Sequence, residues 1–184
     1  MSKSRDITLR GVVIGRAQAG EGSVRVDVLT DEYGLVSALA TSGREERSKL
    51  RSHLQVGTYG TYTLVKGVGT WRVVGATDVT NSHFSVAACS AEARQAKQQA
   101  SSRVISLVRQ LVKGEVRDAG LFDALWEFVV ALPSIPDGEV AAAERRSVGR
   151  ILAALGYVPE SVLGGTDAGL VRAINEGLAA SGLA

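Results

Sequence analysis

The spacing of the apolar residues changes once along this 184-residue chain, and that change limits the folds it can adopt. Residues 7–80 contain short apolar runs separated by glycine-containing turns. Among them, Val24, Val26 and Val28 occupy every second position, which is typical of a strand with one buried face. From residue 91 onward, apolar residues recur at helical spacing instead. The sequence therefore predicts an α+β fold in which the strands come first and the helices follow.

The first part of the chain predicts five strands. Turns are expected at 31–34 and at Gly67–Gly69, and a helical turn at 48–54 before the fourth strand. Five short strands separated by these turns favour a small Greek-key barrel of the OB type, and an SH3-like barrel is the alternative. The predicted strands are Thr8–Arg16, 24–29, Leu35–Ala40, Thr58–Lys66 and Trp71–Ala76.

The second part of the chain predicts helices. The first is expected to end at Gly114, and the second, over 121–132, to stop at Pro133. A third helix is expected to start with Asp137 as its N-cap and to run to Leu155, and a last one covers 167–180. We therefore expect two domains, an OB-type barrel over residues 1–80 and a helical domain over residues 81–184.

Composition excludes several classes of protein. A hydrophobic content of 45% and a charged content of 22% are typical of a folded globular chain. No apolar run approaches the ~20 residues that span a bilayer, and the polar start of the chain lacks an apolar signal core, so we expect a cytoplasmic protein. The single cysteine, Cys89, excludes an internal disulfide. With only His53 and His83 beside it, we expect neither a zinc site nor a catalytic constellation.

A basic segment follows the third predicted strand. Residues 42–51 carry four basic and two acidic side chains, and residues 1–80 as a whole carry eleven Lys/Arg against eight Asp/Glu. A loop of this kind can neutralise phosphates beside a strand surface, although a solvated loop is the plainer interpretation. Glu45 and Glu46 dilute its charge. The candidate DNA contacts in this loop are Arg44, Arg47, Lys49 and Arg51.

Further cations lie on the strands and on the first helix. The strand residues could extend a phosphate track across the barrel, although outward strand positions need polar residues anyway. The helix residues Arg103, Arg109 and Lys113 share one side, which is either a solvated face or a second DNA or protein surface. Tyr33, in a turn, is the best candidate for base stacking. The strand candidates for DNA contact are Arg16, Arg25, Lys66 and Arg72.

Several short motifs follow one another along most of the chain. The barrel half contains Gly11–Ile14, Gly20–Ser23 and Leu29–Gly34, followed by the basic segment 42–51. The helical half contains Glu144–Arg146 and then Ile151–Pro159, which includes a Leu-Gly-Tyr turn. In this order the motifs resemble the RecO family of recombination-mediator and DNA-repair proteins.

The resemblance implies an N-terminal OB fold, a C-terminal helical domain and a non-enzymatic function. It implies binding of single- and double-stranded DNA, annealing of complementary strands, and work with RecR, and often RecF, to load RecA onto DNA coated by single-strand-binding protein. It implies no nucleotide and no catalytic metal for annealing. Many members insert a four-cysteine zinc module after the Leu-Gly-Tyr turn. Residues 159–165 contain no cysteine, so we expect a short member without that module.

Two other functions compete with DNA binding. One is a protein-interaction adaptor that uses the barrel as a docking scaffold, which the modest net charge of +2 favours. The other is a hydrolase or transferase, and it is the weakest because the chain offers no convergent acid, base and nucleophile. Binding of single-stranded DNA at low salt separates the first two.

Overall fold

Strands of the first part of the chain close into a barrel. The structure is a computed structural model and describes residues 6–20, 23–41, 50, 52–82 and 90–183. The strand order around the barrel is β1-β2-β3-β5-β4, in which β3 and β5 run parallel and the other neighbours are antiparallel. The predicted α+β fold with a five-stranded OB-type barrel is confirmed. The strands are β1 (Asp6–Gln18), β2 (Ser23–Thr30), β3 (Gly34–Thr41), β4 (Thr58–Lys66) and β5 (Trp71–Asn81).

The barrel interior is filled by the alternate residues of each strand. Val13, Val28 and Leu64 are almost completely buried there. Gly11 faces the same interior, and a Cβ at this position would lie 2.5 Å from Cγ1 of Val28, so only glycine fits where the strands curve together. Tyr62 crosses the interior and its hydroxyl donates to the backbone oxygen of His53 at 3.2 Å, while burial raises the pKa of its phenol. The interior is therefore a packed core.

Helices follow the barrel among the described residues 90–183. Side chains of Ser90, Asp118 and Thr166 accept hydrogen bonds from the first-turn N–H groups of the first, second and fourth helix. The second helix passes directly into a 3-10 turn, Leu132–Ser134, because Pro133 cannot continue the α-helical hydrogen bonding. The helices are α1 (Ala91–Leu111), α2 (Ala119–Ala131), α3 (Val140–Ala154) and α4 (Asp167–Ser181).

The predicted cap of the third helix is wrong. Asp137 begins a separate 3-10 turn, Asp137–Glu139, and α3 begins at Val140. The carboxylate of Asp137 instead lies 3.7 Å from Nζ of Lys97, whose side chain is only 3% exposed. Lys97 also donates to the backbone oxygen of Pro133 at 3.1 Å. A buried ammonium needs such partners, and Asp137 supplies one of them.

Barrel and helices share one apolar core. Val12, Ile14 and Leu29 on the outer side of the barrel pack in the same cluster as Val104 of α1 and Phe122 of α2. The sheet ends at Asn81 and α1 begins at Ala91, with residues 83–89 outside the described part, so the division at residue 80/81 stays a prediction. None of the helices in the described part is long and apolar enough to cross a membrane.

Candidate nucleic-acid interface

The outward face of the barrel has a covered half and an uncovered half. In the covered half, Leu29, Leu35 and Tyr59 pack with Val12 into the cluster shared with the helices. In the other half, near the β1–β2 turn and the end of β3, the outward residues belong to none of the apolar clusters found among the described residues. This uncovered half is the surface on which the barrel can meet a ligand.

The strand register places two of the predicted cations on the uncovered half. Arg25 of β2 lies opposite Leu39 of β3, and Leu39 lies beside Arg72 of β5. Both arginines are exposed, and neighbouring strands are ~4.8 Å apart, so their Cα atoms are about 10 Å apart across Leu39. Two exposed guanidinium groups on one face give this part of the barrel a positive charge. We call Arg25, Leu39, Arg72 and Val74 the outer strip.

The outer strip also contains apolar side chains and has an acidic residue beside it. Leu39 is half-buried, and Val74, two residues after Arg72 on β5, is 51% exposed. Asp27 is the next outward residue after Arg25 on β2, and its carboxylate accepts a hydrogen bond of 2.6 Å from Ser37 Oγ. The strip therefore presents aliphatic surface between positive charges, with the carboxylate of Asp27 beside it on β2.

Arg16 and Lys66 lie outside the outer strip. Arg16 is opposite Val26, an inward position, and its Nη1 donates to Oε1 of Gln55 at 2.9 Å. Its Nε is buried without a hydrogen-bond partner among the described residues. Lys66 Nζ lies 4.9 Å from the ring centroid of Trp71 and 3.9 Å from Oε2 of Glu115. The structure thus brings together two of the four strand cations predicted as one track.

The basic loop joins the barrel at the uncovered half. Arg44, Arg47, Lys49 and Arg51 lie outside the described residues, as do His83 and Cys89. The last described residue before the loop is Thr41, which is opposite Ser23 at the same end of the sheet as the outer strip. Leu39 precedes Thr41 by two residues, so the chain enters the basic loop from the outer strip.

Tyr33 lies at the other end of β3. Tyr33 is 36% exposed, and its ring makes an edge contact with Trp71, with ring centroids 5.5 Å apart. Trp71 is buried, and its Nε1 donates to Oε1 of Glu115 at 2.9 Å. Tyr33 therefore lies in the β2–β3 turn and contacts the residue that precedes Arg72 of the outer strip.

The predicted cationic stripe of the first helix is partly a structural element. Arg103 donates two hydrogen bonds to the carboxylate of Glu144, at 2.6 and 2.7 Å, which raise the pKa of its guanidinium and tie α1 to α3. Arg109 and Lys113 are exposed. A similar pair ties α2 to α3, since a hydrogen bond from Arg150 lowers the pKa of Glu127.

The side chains of the outer strip suit the binding of an anionic ligand. Among the described residues, no group of three or more His, Cys, Asp or Glu side chains could hold a metal ion. The outer strip offers guanidinium groups and aliphatic side chains, which can hold an anionic polymer in place without changing its covalent structure.

Fold and surface together define the class of this protein: an OB-type barrel domain with an open cationic face, packed on a helical domain. The sequence model of a family described as "Recombination protein O N terminal" matches residues 1–79, which include the whole barrel except the last residues of β5. Residues 1–79 of this chain are therefore similar to the N-terminal domain of RecO proteins.

Curated relatives carry the same family name. The DNA repair protein RecO of Dehalococcoides mccartyi strain 195 is 31% identical over 75 residues, which are 41% of this chain and 30% of that protein. Its counterpart from strain CBDB1 is 30% identical over 67 residues, or 36% of this chain and 26% of that protein. This chain thus spans about 30% of the length of the curated relatives that it matches.

Proposed function

We propose that this protein takes part in DNA repair and recombination by binding single- and double-stranded DNA and annealing complementary strands. The observation that carries the proposal is the position of Arg25 and Arg72 on the open barrel face, beside the start of the basic loop. The family match over residues 1–79 and the relatives named DNA repair protein RecO support it. In this proposal the protein acts without catalysis and without a nucleotide or metal cofactor.

Annealing would follow from charge neutralisation. Two complementary strands repel each other through their phosphates, and a surface that binds both backbones lowers that repulsion. Arg25 and Arg72, together with Arg44, Arg47, Lys49 and Arg51, would supply the positive charge. Each phosphate contact lowers log K by ~0.9 per log unit of salt on duplex DNA and by ~0.7 on single strands. Glu45 and Glu46 make weak binding the expected outcome.

The helical domain would dock the protein partners. By extension of the resemblance to RecO proteins, we propose RecR as the main partner, RecF and single-strand-binding protein as further ones, and assistance to RecA loading as the outcome. These partners act on chromosomal DNA, so the expected location is the nucleoid.

Annealing of complementary oligonucleotides tests the proposal. We expect the variant with Arg44, Arg47, Lys49 and Arg51 all changed to Ala to anneal at least about tenfold more slowly, because it loses four positive charges that could neutralise phosphates. The matched control changes four cations of the helical domain to Ala, namely Arg109, Lys113, Arg146 and Arg172, and should anneal at nearly the normal rate. If the loop variant anneals DNA at the normal rate and with the normal salt dependence, the loop does not contribute to annealing.

The adaptor alternative has its own support in the structure. Lys66 is engaged by Glu115 and Arg16 by Gln55, so fewer strand cations are available for DNA than the sequence alone indicates. If the unmodified protein binds no single-stranded oligonucleotide even at low salt, a protein-docking role for the barrel replaces DNA binding.

A further inference from the structure

We infer that Leu39 and Val74 form an aliphatic platform on the outer strip that contacts unpaired bases, so that this face prefers single-stranded DNA over duplex. The inference rests on the proposed function and adds a residue-level basis for strand preference. It begins from two apolar side chains that remain outside the clusters formed by the described residues.

The geometry sets these side chains between and beside the two arginines. Leu39 separates Arg25 from Arg72 in the strand register. On β5, Trp71 and Val73 are buried in the barrel while Arg72 and Val74 are exposed, so Val74 shares the outward side with Arg72. A break in register between β4 and β5 leaves Val74 between two paired positions, Val73 opposite Leu64 and Gly75 opposite Thr63. Such a bulge turns the side chain outward from the sheet.

The charged groups beside this apolar surface indicate which kind of ligand binds there. An aliphatic patch alone could contact many ligands, but the guanidinium groups beside Leu39 and Val74 favour an anionic polymer. Within the described part of the chain, the carboxylate of Asp27 adjoins the strip on β2 and is hydrogen-bonded to Ser37. A nucleic-acid strand matches this pattern of charged and apolar groups, because it carries both phosphates and flat bases whose faces are apolar.

Base pairing decides which form of DNA can use the platform. A duplex stacks its bases inside and presents phosphates and sugars, so it can use Arg25 and Arg72 but not Leu39 or Val74. A single strand exposes its base faces and can use both kinds of contact. Because aliphatic side chains carry no hydrogen-bonding group, the platform would accept any base, and the preference would be for strand state and not for sequence.

Substitution by threonine tests the platform with little risk to the fold. Threonine is β-branched and suits an exposed strand, so Leu39→Thr with Val74→Thr keeps the charges and removes apolar surface. The full-length chain is titrated, by fluorescence anisotropy, against a labelled 30-nucleotide thymidine oligomer and against a 30-base-pair duplex. We expect a three- to tenfold loss of affinity for the single strand, less than a twofold change for the duplex, and an unchanged salt slope. Val130→Thr, at an exposed valine of α2, is the matched control and should change neither affinity.

The outcomes separate this inference from the proposed function. If the double variant binds both DNA forms as the unmodified protein does, the platform is overturned while DNA binding stands. An equal loss on single strand and duplex overturns it as well, because the two residues then do not distinguish strand state. If the unmodified protein binds neither probe at low salt, the proposed function fails and the platform fails with it. Circular dichroism of each variant verifies that the fold is unchanged.

Discussion

The covered and uncovered halves of the barrel's outer face are built from the same strands and differ in what lies on them. Leu29 and Leu39 are both outward-facing leucines on neighbouring strands. Leu29 is 1% exposed beneath the helices, whereas Leu39 is half-buried and belongs to none of the clusters of described residues. The alternating pattern of a strand shows which residues face outward, but not which of these residues a helix will cover. Leu29 and Leu39 therefore look alike in the sequence and differ in whether the helical domain packs on them.

Arginines in the two halves also differ in whether they contact the helical domain. In the covered half, Arg10 pairs with Asp31 at 3.0 Å, and its guanidinium carbon lies 5.6 Å from the ring centroid of Phe122 and 5.5 Å from that of Trp126. It ties the barrel to α2 by ion-pair and cation–π contacts. In the uncovered half, Arg25 and Arg72 are exposed outward-facing residues of β2 and β5. Arg10 thus helps to hold the helical domain on the barrel, while the helices do not cover the outward residues Arg25 and Arg72.

The largest effect expected from this comparison is on stability. Leu29→Thr removes buried apolar volume and places a hydroxyl in the shared core, so we expect it to lower the free energy of unfolding by about 3 kcal/mol. Leu39→Thr exchanges a partly exposed side chain on a strand for a β-branched one and should cost less than about 1 kcal/mol.

Urea unfolding followed by circular dichroism measures both values. Equal losses in the two variants would mean that the outer strip is as much a part of the core as the covered half, and the distinction between the halves would fail.

The smallest effect concerns the pairing of α2 with α3. The hydrogen bond from Arg150 holds the pKa of Glu127 below its ordinary value of 4.5, so this pair stabilises the fold above that pH and the contribution is lost as the pH falls through the lowered pKa. Glu127→Gln should therefore reduce the loss of stability on acidification below about pH 4.5, by under ~0.5 kcal/mol because the pair is exposed. Thermal melts between pH 3 and pH 6 measure it. A pH profile identical to that of the unmodified protein would contradict a contribution from the pair.

Much of the fold was predictable because burial alternates along the strands. The predicted bounds of β4, Thr58–Lys66, are confirmed. β5 was predicted to end at Ala76 but runs to Asn81, because its polar last part is held by the ladder to β4, where Asn81 lies opposite Thr58. Backbone pairing of this kind leaves no apolar pattern in the sequence.

The position of Arg16 was not predictable for a different reason. Simple alternation puts it on the same outward face as Arg10 and Val12. A bulge between Val13 and Gly15 shifts the register by one residue, and Arg16 then lies opposite the inward-facing Val26. The pairing of Arg103 with Glu144, which is 41 residues away, likewise depends on how the helices pack.

The residues of the outer strip are identified only when the sequence and the strand register are taken together. The sequence indicated Arg25 and Arg72 as candidates, but Leu39 and Val74 were missed because only the cross-strand register shows that they lie beside the two arginines. The alternation of Leu39 with the buried Ala38 and Ala40 was the available signal that it faces outward.

The central claim is that the uncovered half of the barrel binds DNA through its phosphates. The most direct measurement is the salt dependence of single-strand binding by the double variant Arg25→Gln/Arg72→Gln. If both arginines contact phosphates, the slope of log K against log salt should decrease in magnitude by ~1.4, at ~0.7 for each contact. The control Arg146→Gln/Arg172→Gln, which removes two exposed charges from the helical domain, should keep the full slope. A slope that is unchanged in the first variant, or reduced equally in both, would contradict the account.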